Sequence, residues 1–175
     1  MIPHEELVTG IKLCRRNVKT LLDDARVLYK RRSYGHAAAL GIIAMEEYAK
    51  QMILAAEYSY PDRFESEVKG AFVNHDFKIQ VALHWLREES VGKFPTDLTE
   101  EEFKELQLRM TGGLKTARTS CIYVDYQKPH GWYDPNDPSF RELARHQIHY
   151  TEEVTRKTDK WMSRLLSGEH EATKA

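Results

Sequence analysis

Residues 37–50 read Ala37-Ala38-Ala39-Leu40-Gly41-Ile42-Ile43-Ala44-Met45-Glu46-Glu47-Tyr48-Ala49-Lys50, an apolar run from Ala37 to Met45 that leads straight into charge. At helical spacing Ala37, Ala38, Gly41, Ile42, Ala44, Met45, Tyr48 and Ala49, with Met52 beyond, cover well over half the circumference. A helix apolar over that much of its surface is buried against several others, so this segment is expected to be the central helix of an all-α bundle. The remaining stripe holds His36, Leu40, Ile43, Glu47, Lys50 and Leu54, with Glu46 at its border. An unpaired ion in a packed interior is costly, so Glu47 and Lys50 should pair with each other or with another helix. The plainer alternative is a surface pair of Glu46 with Lys50 at i,i+4.

Upstream, Pro3 is placed to open a helix whose Leu7, Ile11, Cys14, Val18, Leu21, Leu22, Ala25, Leu28 and Tyr29 recur at helical spacing to about Lys30. Arg31 to Gly35 reads as a turn, with Ser33 able to cap the central helix, which continues to about Tyr58 before Tyr60-Pro61 ends it. The two helices form an antiparallel hairpin. Residues 59–71 read as a loop with room for a short helical turn, and a third helix is expected from Phe72 to Ser90, stopped by Gly92-Lys93-Phe94-Pro95. Thr99 with Glu102 makes a capping box for a fourth helix through Phe103, Leu106, Met110, Leu114, Ala117 and Cys121, which Gly112-Gly113 can bend or break. Cys121 to Tyr126 is the one β-leaning run, and Gln127 to Asp137, with two prolines, reads as an ordered loop. Asp137-Pro138 then starts a last helix along Phe140, Leu143, Tyr150, Val154, Trp161 and Leu165. The expectation is one domain of about five antiparallel helices over residues 1–166, with a flexible tail over 167–175.

Composition agrees with a compact domain and names no partner. The 175 residues are 41% hydrophobic and 30% charged, with 26 basic and 27 acidic side chains giving a net charge of −1. Disordered, collagen-like and basic-tail classes are excluded, and any phosphate-attracting surface must be a local patch. The apolar run of residues 37–45 falls far short of the roughly 18–20 residues of a membrane span, so no membrane is expected. Two distant cysteines, Cys14 and Cys121, and an N-terminus lacking basic and apolar signal-peptide regions lead to the expectation of a cytoplasmic, reduced protein.

Three sets of residues can carry chemistry. The first is the Glu46-Glu47-x-x-Lys50 cluster. In the second, His75 and Lys78 lie at i,i+3, an imidazole able to move protons beside an ammonium able to hold a phosphate oxygen; the bland alternative is a hydrogen-bonded histidine at the edge of the core. The third is Arg118 to Tyr126. If helical phase persists, Arg118, Ile122 and Asp125 share a face, and Arg118 can either bridge Asp125 or Glu47 or present its fork of donors to a phosphate. No cofactor or metal is expected. Glu-x-x-His, HExxH, GxxxxGK[ST] and GxGxxG are all missing. Glu142, His146, His149 and Glu153 share a polar face of the last helix, which reads as solvated or dimer-facing, with adventitious metal binding as the lesser alternative.

Taken together, Ala37–Lys50 with its Glu46-Glu47-x-x-Lys50 ending, Phe72-x-x-His75-x-x-Lys78, and Arg118-x-x-x-x-Tyr123-Val124-Asp125 followed by Trp132 and Pro135 resemble the AbiV-type abortive-infection proteins of the HEPN superfamily. The resemblance runs from about Gly10 to Tyr150. It implies a helical bundle that forms a homodimer and takes part in antiviral defence, in which cells infected by phage shut down growth. Many HEPN relatives are metal-independent ribonucleases in which an Arg-x4–6-His motif supplies an arginine for the scissile phosphate and a histidine for proton transfer. Aligned on Arg118, the histidine position holds Tyr123. An unperturbed tyrosine, with a pKa of about 10, is a poor base at neutral pH. Either that tyrosine is tuned, or another group such as His75 serves, or the site only binds.

Arg141–His146, Arg31–His36 and Arg164–His170 also fit Arg-x4–6-His, but with eight His and 13 Arg in the chain roughly two such pairs arise by chance. The Arg118 register is preferred because its flanking residues agree, and Arg141–His146 is the runner-up. The resulting expectation is that Glu47, Lys50, His75, Lys78, Arg118, Tyr123 and Asp125 converge in one polar pocket, with Glu46 beside them. His75, Arg118, Tyr123 and Asp125 are the catalytic candidates, and Glu46, Glu47, Lys50 and Lys78 bind phosphate or orient the others. The rival expectation is a non-catalytic helical dimer, a toxin or scaffold that binds RNA, a translation component or a phage protein.

Overall fold

The computed structural model describes residues 2–88, 100–127 and 131–167. Six helices and one small hairpin follow in chain order: α1 (His4–Lys30), α2 (Tyr34–Ser59), α3 (Glu65–Val73), α4 (His75–Glu88), α5 (Glu100–Ser120), β1 (Asp125–Gln127), β2 (Gly131–Tyr133) and α6 (Phe140–Leu166). The all-α expectation holds, with six helices among the described residues where about five are expected. No helix among the described residues is long and apolar enough to cross a membrane.

The α1 periodicity becomes a buried seam of Leu7, Ile11, Cys14, Val18, Leu22 and Ala25, one residue every three or four. That seam packs on α2, which also touches α3, α4, α5 and α6 and so forms the axis of the bundle. Arg15 bonds Asp159 and Arg26 bonds Glu152, so α6 runs antiparallel to α1 and closes the bundle on the far side. Small residues on α2 set how closely its neighbours approach. A Cβ added at Gly41 would lie 2.8 Å from the Gln147 Cβ on α6, and one at Gly35 would lie 2.3 Å from the Pro135 carbonyl oxygen, which accepts a hydrogen bond from the Gly35 N–H.

The structure departs from the sequence expectations at five places. Ser33 does not cap α2 through its side chain; its hydroxyl is hydrogen-bonded at 2.9 Å to the His36 imidazole, three residues on. The segment expected as a loop to residue 71 contains α3. Its entry turn is held by the buried Glu57 carboxylate, which accepts from the Asp62 and Phe64 N–H groups at 2.9 and 2.7 Å. The expected single helix over 72–90 is broken at Asn74, whose backbone is extended and whose Oδ1 accepts from the Phe77 N–H, opening α4. Gly112-Gly113 does not break α5, because the packing of that helix on α4 and α2 outweighs a propensity cost of about 1 kcal/mol per glycine. Last, helical phase stops at Ser120, and Asp125 opens a strand in which it faces Tyr133, with Tyr126 opposite Trp132. Thr99 and the tail from residue 168 lie outside the described residues, as do the side chains of Glu102, Asp125 and Trp132.

Close contact at Gly35 and Gly41 predicts that Gly35→Ala and Gly41→Ala each cost about 1–3 kcal/mol by overpacking, or roughly 2–4 °C of melting temperature per kcal/mol for a chain of this length. Gly112→Ala, whose Cβ meets no described atom within 4 Å, should instead gain up to about 1 kcal/mol of helix propensity. Thermal melts of the three variants test the contrast in sign.

Candidate functional site

Glu46 lies near the middle of α2 with its side chain 3% exposed. Three basic groups from two other helices converge on its carboxylate. From the first turn of α4, His75 Nδ1 is 2.5 Å from Oε2 and Lys78 Nζ is 3.3 Å from the same oxygen; from the last turn of α5, Arg118 Nη1 is 3.1 Å from Oε1. The i,i+3 spacing of His75 and Lys78 puts both on one face of α4, and the break at Asn74 starts that helix where the imidazole can reach Glu46. An ion pair between Lys115 Nζ and Asp76 Oδ2 at 3.0 Å also ties α5 to α4. Sequence spacing gives no sign of this pair, because its two members lie 39 residues apart on different helices.

The cluster is graded from floor to mouth. Lys78 is 6% exposed, Arg118 23% and His75 48%. One carboxylate against two permanent cations leaves a formal charge of +1 with His75 neutral and +2 with it protonated. Arg118 Nη1 is also 2.8 Å from His75 Nδ1. A guanidinium only donates, so Nδ1 accepts from Arg118 when it lacks a proton and donates to Glu46 when it carries one. The imidazole proton and the Arg118 contact are therefore exclusive at that nitrogen, and Nε2 takes no hydrogen bond among the described residues.

The expected seven-residue pocket is thus divided. His75, Lys78 and Arg118 meet, but on Glu46, the border residue, rather than on Glu47. The neighbouring Glu47 faces α1: it pairs with Lys50 at 2.5 Å and accepts a hydrogen bond from the Cys14 thiol. Tyr123 lies in the turn after α5, 62% exposed, joined to none of the cluster residues. Asp125 does not share a helix face with Arg118. In the runner-up pair, Arg141 bonds Tyr29 while His146 contacts Arg145, so the two do not form a unit. On the polar face of α6, Glu142 and Glu153 pair with Arg145 and Arg156, and no group of three His, Cys, Asp or Glu residues among those described is arranged to hold a metal.

Burial pushes the Cys14 thiol up to about 11, helped by the adjacent Glu47 charge, and pushes Cys121 up to about 12. Both are resting, protonated thiols at neutral pH.

Compared with known families, the chain matches the model HEPN_AbiV, described as AbiV, over residues 6–156. No curated protein and no solved structure matches it.

Two predictions follow from this geometry. Glu46→Ala strands the buried Lys78 ammonium and should cost about 3–5 kcal/mol; adding Lys78→Met should recover part of that loss in denaturant titrations, which a purely additive pair would not. For the thiols, folding holds their protons more tightly, so the stability they contribute is complete below the ordinary value of 9.0 and is lost as pH rises through 11 to 12. Iodoacetamide at about pH 8 should leave both cysteines unlabelled in the native chain and label both in urea.

Proposed function

This chain belongs to the HEPN_AbiV family, an abortive-infection family of HEPN type, and on that premise we propose that it is a metal-independent ribonuclease whose phosphate site is the Glu46 cluster. The observation that carries this reading is the surplus cation. Glu46 is one carboxylate shared by Lys78 and Arg118, so the cluster keeps one positive charge in excess, and Arg118 and His75 are the members that reach solvent. A partly buried guanidinium with uncompensated charge is a phosphate-binding group, because its fork of donors matches two phosphate oxygens.

In this mechanism Arg118 binds the non-bridging oxygens of the scissile phosphate and stabilises the charge that grows on them. His75 uses Nε2 to take the proton of the adjacent 2′-hydroxyl, whose oxygen attacks phosphorus while the bond to the 5′-oxygen breaks, the leaving oxygen taking a proton from water. Glu46 is a positioning residue: it holds the imidazole through Nδ1 and the guanidinium through Nη1, fixing their separation. Lys78 pairs with that carboxylate at the floor of the cluster. The histidine's role thus falls to His75, from α4, and not to Tyr123 at the position that follows Arg118.

A second reading has its own support. Every charge at the floor of the cluster is paired, which is what a structural lock between α2, α4 and α5 requires. The two readings part on one experiment. Purified protein is incubated with total RNA and transfer RNA in EDTA, beside His75→Ala and Arg118→Ala. Cleavage that falls by about 10²-fold or more in each variant, with melting temperature little changed for the half-exposed His75, supports the enzyme. Folded wild-type protein that cleaves neither substrate supports the lock.

A further inference from the structure

A groove of about 400 Å³ opens between α1, α2 and the end of α3. Its walls include two exposed apolar side chains, Leu13 and Phe72, and its polar lining includes the Glu47–Lys50 pair, whose side chains are 15% and 16% exposed. Lys50 Nζ lies 5.5 Å from the centroid of the Phe72 ring. A charged pair sunk to this depth, under an aromatic ring that is itself half in solvent, is an unusual use of both. Phe72 would ordinarily be buried, and the ion pair would ordinarily be at the surface.

The free hydrogen-bonding positions define what fits. An ionised carboxylate accepts at about four positions. Lys50 occupies one, on Oε1 of Glu47, and the Cys14 thiol is a second donor to the same carboxylate, so about two accepting positions remain. Lys50 gives one of its three N–H donors to Glu47, and the other two meet no acceptor among the described residues. The groove therefore offers a carboxylate with accepting positions to spare next to a donor, beside an aromatic face. Guanine is the one RNA base whose pairing edge is complementary, with N1–H and N2–H2 as adjacent donors and O6 as the acceptor. Adenine and cytosine offer one amino donor next to an acceptor, and uracil one N–H between two acceptors. Single-stranded bases are read in this way, by stacking on an aromatic ring and by hydrogen bonds to the Watson–Crick edge.

We propose that the Glu47–Lys50–Phe72 groove is a guanine-binding site, with Glu47 accepting from N1–H and N2–H2, Lys50 donating to O6, and Phe72 stacking on the ring. Phe72 and His75 are three residues apart across the Asn74 break, and Glu47 follows Glu46 in α2, so groove and cluster are built from neighbouring positions of the same helices. In this respect the inference rests on the ribonuclease reading, and it names the base that reading leaves open. The same ring could be offered by an RNA strand or by a free guanine nucleotide.

Saturation-transfer NMR and equilibrium titration with guanosine, adenosine, cytidine and uridine test the base. Guanosine should bind about tenfold or more tightly than the other three. Glu47→Gln should abolish that preference. Phe72→Ala, which removes an exposed side chain and so leaves the fold intact, should weaken guanosine binding, so loss of binding in both variants is not a folding artefact. Titration with GTP beside a short RNA carrying a single guanine tells the free nucleotide from the strand. Equal binding of all four nucleosides, no binding of any, or guanosine binding unchanged in both variants overturns the proposal. Guanosine carries no phosphate, so guanosine binding without RNA cleavage sinks the ribonuclease reading alone, and cleavage without guanosine binding sinks this one alone.

Discussion

A carboxylate in the middle of the most apolar helix is the constraint around which the bundle is arranged. A carboxylate at that depth needs partners, and those of Glu46 come from α4 and α5, not from α2 itself. This fixes where α4 begins, how far α5 runs before it ends at Ser120, and which faces of both point at α2. The hydrophobic seams of α1 and α6 set the distance between helices, but apolar packing is tolerant of small shifts. Hydrogen bonds of about 3 Å to one carboxylate are not, and they lock the register of three helices together.

Glu46 and Glu47 are adjacent in sequence, and the helical turn sends them into different surroundings. One carboxylate is met by a lysine, an arginine and a histidine and sits in a locally positive field; the other is neutralised by a single lysine beside a resting thiol. The net charge of −1 for the chain hides this arrangement. The cluster's local surplus is positive while the chain as a whole is slightly acidic, so the sign of the field at this place is opposite to that of the net charge.

Much of the architecture can be read from the residues. The α1 seam, the breadth of the apolar surface on α2 and the Asp137-Pro138 start before α6 are strong local signals, because periodicity and capping act within one turn of chain. The break at Asn74 is harder to see, since it depends on a side chain competing for backbone hydrogen bonds within a segment that is otherwise helical in pattern. At the site, spacing places His75 with Lys78 and singles out Arg118, but their meeting is tertiary and no pattern reports it. The choice between Glu46 and Glu47 turns on one step around a helix, which a wheel resolves only once the positions of the neighbouring helices are known. Joining Asp125 to Arg118 requires helical phase to run five residues beyond the end of α5.

The three-residue turn between α1 and α2 also bears on how the chain assembles. Two long helices joined so closely can associate with little loop-closure entropy, whereas α4 and α5 must be brought in from further along the sequence. In a hairpin of α1 and α2 alone, Glu46 has neither α4 nor α5 over it and remains hydrated. The carboxylate is desolvated only as those helices dock, and they arrive carrying the cations that compensate it. Assembly in this order never asks a bare anion to enter an apolar interior, so a charge that would be a kinetic obstacle in an early collapsed state becomes a latch that closes late.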